Sequence, residues 1–120
     1  MAPRSQLEIT TQSVLRLVKE EASYHNELKE QTNRIQRLET HENTDADDEN
    51  QEYTLRQERL ALEETKKVLP TLKQKIDDSI AKLESLLTEE GQKGAESNVE
   101  LINAGKEAIA KARTAEREIA

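Results

Sequence analysis

The sequence predicts an all-α fold, an elongated antiparallel three-helix bundle whose second helix is bent at a proline. Three observations carry this. Leu, Ile, Val and Ala recur at helical spacing over most of the chain, and period two is absent. The composition is that of long amphipathic helices, with 33% apolar and 36% charged residues. Phe, Trp and Cys are missing, Tyr24 and Tyr53 are the only aromatics, and three Gly and two Pro leave few turn signals for a β-sandwich. A chain of 120 residues fits one domain, spanning 1–120. Low hydropathy and a net charge of −7 would also suit a disordered chain, but disorder leaves no periodic apolar stripe.

The first helix is expected over about 5–41. Ser5 followed by Glu8 forms a capping box, in which the hydroxyl and the carboxylate each satisfy an orphan N–H of the first turn. Leu7, Val14, Glu21, Leu28 and Ile35 occupy one seam position of a heptad, and Thr10, Leu17, Tyr24, Gln31 and Leu38 occupy its companion. Thr10, Glu21 and Gln31 are polar interruptions of that seam and suggest a binding face.

The second helix, about 50–88, has the cleaner pattern. Leu55, Leu62, Leu69, Ile76 and Leu83 recur every seven residues, with Leu72, Ile80, Leu86 and Leu87 beside them. Its start falls between Asp45 and Tyr53, where several acids could cap it, and Gly91 is its natural stop. At 1.5 Å per residue it is about 55 Å long. The third helix, about 97–118, opens with a second capping box, Ser97 with Glu100. Its seam of Val99, Ile102, Ile109, Ala112 and Ile119 is flanked by Leu101, Gly105, Ala108 and Ala115, small enough for close helix approach. Short connections near 42–50 and 91–94 make neighbouring helices antiparallel. The same stripes would also serve a homodimer, so monomer and homodimer both remain open.

Charge is concentrated in one place. Glu42, Asp45, Asp47, Asp48, Glu49 and Glu52 lie within 42–52 with no base between them, which leaves the helical segments close to neutral. This reads as a solvated connection leading into an acidic helix start, where carboxylates complement the dipole. It is not a calcium loop: relative to Asp45, the glycine position holds Asn50 and the final glutamate position holds Arg56.

Catalytic, cofactor and metal sites are not expected. His25 and His41 are too few and too far apart for a metal centre, and Glu20–Glu21 and Glu63–Glu64 are sequential, so their side chains diverge on a helix. Glu30–Arg34, Glu63–Lys67 and Asp78–Lys82 have the order that supports helices by about 0.2–0.5 kcal/mol each. There is no Gly-rich phosphate loop and no nucleophile set. Net charge and scarce aromatics argue against nucleic acid, and the absence of a basic amphipathic helix argues against a membrane surface. No apolar run reaches membrane-spanning length, a signal peptide is not expected, and the missing cysteines suit a reducing compartment, so the expected location is cytoplasmic. A protein partner remains.

Pro70 lies inside the best heptad run. It removes the N–H that would bond the Lys66 carbonyl, at a cost of about 3 kcal/mol in an isolated helix. Because Leu62, Leu69, Ile76 and Leu83 keep register across it, the expectation is one helix with a bend at 66–70 rather than a break. Thr65, Lys66, Lys67, Thr71, Lys73 and Lys75 surround the freed carbonyl.

The segment Glu64-Thr-Lys-Lys-Val-Leu-Pro-Thr-Leu72 resembles the second-helix signature of the tubulin-binding cofactor A family, and Tyr53, Leu55 and Leu62 lead into it without a gap. The first helix is similar as well, through Leu7-Glu8-Ile9, Arg16-Leu17-Val18-Lys19-Glu20-Glu21, Tyr24 and Glu27-Leu28. The resemblance covers about residues 3–88. It implies a cytosolic, cytoskeleton-associated three-helix chaperone, without enzyme activity or cofactor, that binds β-tubulin after chaperonin release and before α/β heterodimer assembly. Carried onto this chain, it makes Tyr24, Glu64, Lys66, Lys67, Pro70 and Thr71 candidate partner-binding residues. The longer acidic connection and the C-terminal third depart from the family pattern. The alternative reading is a generic helical adaptor or self-associating coiled coil.

Overall fold

The computed structural model describes residues 4–40 and 48–119. Three α-helices account for nearly all of them: α1 (Gln6–Glu39), α2 (Asp48–Gly91) and α3 (Val99–Ile119), with a short 3-10 turn at Gly94–Glu96. The fold is an all-α three-helix bundle, and the described residues contain no strand. His41 and most of the acidic connection lie outside the described residues, including Asp45 and Asp47 of the calcium-loop comparison.

The sequence explains most of the helix ends. Ser5 Oγ accepts the Glu8 N–H at 3.2 Å and caps α1, which is half of the expected box; the Glu8 carboxylate meets Arg4 at 3.6 Å instead of the Ser5 N–H. α2 runs through Pro70 without interruption. The burial of Ile76 and Leu83 further along the same helix contributes about 1.5–3 kcal/mol each, enough to offset one missing hydrogen bond. Gly91 is the last residue of α2, and the left-handed turn that follows is taken by Gly94, at φ 64°. The capping box expected at Ser97 and Glu100 does not form. The cap of α3 is Asn98, whose Oδ1 accepts the Leu101 N–H at 3.2 Å. Ser97 is extended and turns its hydroxyl back to the Gly94 carbonyl at 2.7 Å. Asn caps as well as Ser does, and the 3-10 turn already engages Ser97.

The chain divides into two compact units. The first contains residues 1–22 and 72–120. Its core contains Leu7, Val14, Leu17, Leu72, Ile76, Ile80, Leu83, Ala108 and Ala112, all buried, and Thr10, Thr11 and Glu21 are buried as well. The second contains residues 23–71, a pair of helix segments from α1 and α2. There Ile35 is the one buried apolar side chain among the described residues. Leu28, Leu38, Leu55, Leu62, Val68 and Leu69 are only half-buried.

Polar contacts join the helix segments of the second unit. Gln51 Nε2 donates to the Leu38 carbonyl at 2.8 Å. Arg34 Nε donates to Glu58 at 3.3 Å and its Nη2 to Glu27 at 3.4 Å, while Arg59 Nη2 reaches Glu39 at 2.9 Å. These contacts pair the end of α1 with the start of α2, so the two run antiparallel. The Glu58 hydrogen bond, against the opposing desolvation, raises the Arg34 pKa above its ordinary value, with help from both carboxylate charges. Arg34 thus engages Glu27 and Glu58 rather than the expected Glu30, because a cross-helix carboxylate satisfies the guanidinium fork better.

Candidate protein-binding surface

All six candidate residues fall in the second unit. Tyr24 belongs to α1, on the seam side with Leu28 and Gln31, yet it is 37% exposed. Glu64, Lys66, Lys67, Pro70 and Thr71 are exposed residues of α2. Successive helical residues turn by about 100°. Glu64, Lys67 and Thr71 therefore share one line along α2, opposite the side that carries Gln51, Leu55, Leu62, Thr65 and Leu69. Lys66 and Pro70 lie on the flank of that line. The buried Thr65 between them donates its hydroxyl to the Ala61 carbonyl at 3.1 Å, so it is satisfied within its own helix.

The same outward line carries two large apolar side chains that the family motif does not include. Tyr53 is 60% exposed and Leu60 is 57% exposed. They are seven residues apart, so they point the same way, one behind the other, with Arg56 and Gln57 between them. The signal was present in the sequence as an i, i+7 pair placed off the leucine heptad. In the sequence, Tyr53 also belongs to the run that leads into the motif.

The charges on this face are loosely held. Lys67 pairs with Glu64 at 3.9 Å and Lys66 with Glu63 at 3.7 Å, both one turn apart, replacing the expected Glu63–Lys67 pair. Exposed pairs of this kind contribute about 0–1 kcal/mol, so a partner can exchange them at little cost. Asp78 likewise accepts from Gln74 at 2.9 Å and is not held by Lys82.

The polar seam positions are not a binding face. Thr10, Glu21 and Gln31 are all buried, at 4–5% exposure, because they point inward with the apolar seam of α1. Among the described residues no group of three or more His, Cys, Asp or Glu could hold a metal ion, and no helix is long and apolar enough to cross a membrane.

Fold and surface together define a helical protein-interaction bundle. The chain matches the family model described as tubulin binding cofactor A over residues 2–109. It is 37% identical over 87 residues to the tubulin-specific chaperone A of Saccharomyces cerevisiae, an alignment that covers 72% of this chain and 76% of the yeast protein. No solved structure matches. The chain belongs to the tubulin binding cofactor A family, a family of chaperones and not of enzymes. The match extends past residue 88, where the recognisable motifs end, and takes in the first half of α3.

Proposed function

We propose that this chain is a cytoplasmic, cytoskeleton-associated single-domain chaperone that binds β-tubulin and holds it after chaperonin release, before it joins α-tubulin. Capture is stoichiometric and uses no nucleotide. The observation that carries the reading is the outward face of α2. Tyr53 and Leu60 supply apolar area, and Glu64, Lys67 and Thr71 continue the same line with exchangeable polar groups. Lys66 and Pro70 flank that face, and Tyr24 adds a contact from the seam side of α1, away from it. A bend at 66–70, caused by the proline, sets the angle between the Tyr53–Leu60 part of this face and the residues that follow it.

Co-elution of the full chain with β-tubulin on a sizing column tests the proposal, and separate peaks at micromolar concentration would refute it. Tyr53→Ala with Leu60→Ala, and Lys66→Glu with Lys67→Glu, should each weaken the complex while leaving far-UV helicity intact. Loss of helicity in either variant would make that pair structural.

The half-buried leucines of the second unit favour one other reading, a homodimer or self-associating coiled coil that covers Leu55, Leu62 and Leu69. Sedimentation of the isolated chain separates the two. The chaperone reading expects a monomer across the concentration range in which tubulin is bound.

A further inference from the structure

The first unit carries a groove of about 360 Å³ between α1 and α3, lined by Gln12, Leu15, Arg16, Val18, Lys19 and Lys111. Five of these come from successive turns of one α1 face, and Lys111 closes the groove from α3. Three of the six are cationic and none is acidic, in a chain whose net charge is −7. Leu15 and Val18 are half-buried and form an apolar floor. Arg16 has a long 3.9 Å contact to Glu20, and both side chains are largely exposed. Lys19 and Lys111 are exposed and make no ion pair among the described residues. Lys111 also lies beyond the residues that the family model matches.

We propose that this groove is a second binding site, separate from the α2 face, and that it takes an acidic peptide segment with an apolar side chain among its carboxylates. The apolar side chain rests on Leu15 and Val18, and Arg16, Lys19 and Lys111 receive the flanking carboxylates. The volume is at the small end of ligand clefts, which span about 300–1,000 Å³, so it holds a side chain or two and not a helix. A free phosphate would leave the apolar floor unused. A nucleic acid would need a wider basic field and aromatic stacking partners, and the only aromatics, Tyr24 and Tyr53, lie in the other unit. The apolar contact gives affinity and the cations give selection and a faster encounter.

The test is fluorescence anisotropy of the full chain with a labelled Glu-Glu-Leu-Glu-Glu peptide, beside a peptide with Gln in place of Glu and one with Ser in place of Leu. The acidic Leu peptide saturates, the Gln peptide does not bind, and the Ser peptide binds several-fold more weakly. Lys19→Glu with Lys111→Glu lowers affinity by about tenfold or more, since like charges then face the peptide. Lys19→Gln with Lys111→Gln moves it the same way by less, with helicity unchanged. Lys29→Glu with Arg37→Glu makes the same change in net charge in the second unit and leaves binding within about twofold. Equal losses in the groove and second-unit variants would reduce the effect to overall charge. Undiminished binding in the groove variants, or full competition by inorganic phosphate, would equally overturn the site. The peptide assay contains no tubulin, so its failure leaves the proposed tubulin complex standing and the reverse also holds.

Discussion

Gly105 of α3 lies directly against Leu87 of α2: a Cβ built on Gly105 would come within 2.9 Å of Leu87 Cδ2 and 3.4 Å of Leu83 Cδ1. The glycine is buried in α3 and no positive φ requires it there, so its purpose is closeness of approach. Leu83 is completely buried beside it. Gly105→Leu should destabilise the protein by about 1–3 kcal/mol through overpacking. Gly105→Ala should stay near neutral, since the end of the Leu87 side chain can swing aside while alanine gains up to about 1 kcal/mol of helix propensity. Urea unfolding of both variants checks this, and a neutral Gly105→Leu would show that α3 is not held tightly there.

The cap of α3 separates two neighbouring residues. Asn98 holds the Leu101 N–H, whereas Ser97 bonds only the Gly94 carbonyl of the preceding turn. Asn98→Ala should cost about 1 kcal/mol. Ser97→Ala should stay within about 0.5 kcal/mol, the range of an ordinary exposed substitution. The reverse order in thermal melts would restore the capping box to Ser97.

These two cases show what the sequence made legible and what it did not. The leucine register of α2 and the cap at Ser5 depend on spacing along one helix, and both could be read directly. Ser97 and Asn98 are equally good caps by type, and the choice depends on where the 3-10 turn ends. Thr10, Glu21 and Gln31 had the look of a binding face, but only packing decides whether a polar seam residue faces inward. Tyr53 and Leu60 were visible as letters. Their exposure became evident only once the opposite side of α2 was seen to carry the packing.

The two units should differ in local stability. Among the described residues, nine of the ten buried apolar residues belong to the first unit and only Ile35 to the second. Opening free energy follows buried apolar contact. Amide exchange at Ile76, Ile80 and Leu83 should therefore be slower than at Leu55 and Leu62 by about tenfold or more. Uniform protection along α2 would mean that the half-buried leucines are covered in solution, as in a homodimer.

Acid should loosen the α2–α3 turn first. Lys93 Nζ lies 2.8 Å from the Glu90 carboxylate, which is 12% exposed. The close contact with Lys93, against the desolvation that opposes it, pulls the Glu90 pKa below its ordinary value, helped by the Lys93 charge and the Asn98 backbone. The Lys93 pKa is raised in turn, first by the bond to Glu90. A depressed carboxylate contributes stability above its unfolded pKa and loses it as pH falls through the folded one. Glu90→Gln should therefore flatten the decline in stability below about pH 4.5 relative to the wild type. The lysine has the opposite sign: its contribution is complete below its unfolded pKa and is lost only as pH rises through the raised value. Parallel acid titrations of wild type and variant, followed by circular dichroism, would sink the assignment if their slopes matched.

Pro70 is where stability and binding should part company. It is exposed, it lies within the unbroken α2, and it costs the helix one backbone hydrogen bond. Pro70→Ala restores the donor to the Lys66 carbonyl and should raise stability by about 1–3 kcal/mol. If the proposed bend at 66–70 aligns Glu64, Lys67 and Thr71 with the Tyr53–Leu60 half of the face, the straighter variant should bind β-tubulin several-fold more weakly despite being more stable. Melting temperature and tubulin affinity measured on one preparation give the answer. A variant that gains stability and keeps full affinity would assign Pro70 to helix curvature alone. One that loses both would mean the proline is needed for packing within the second unit.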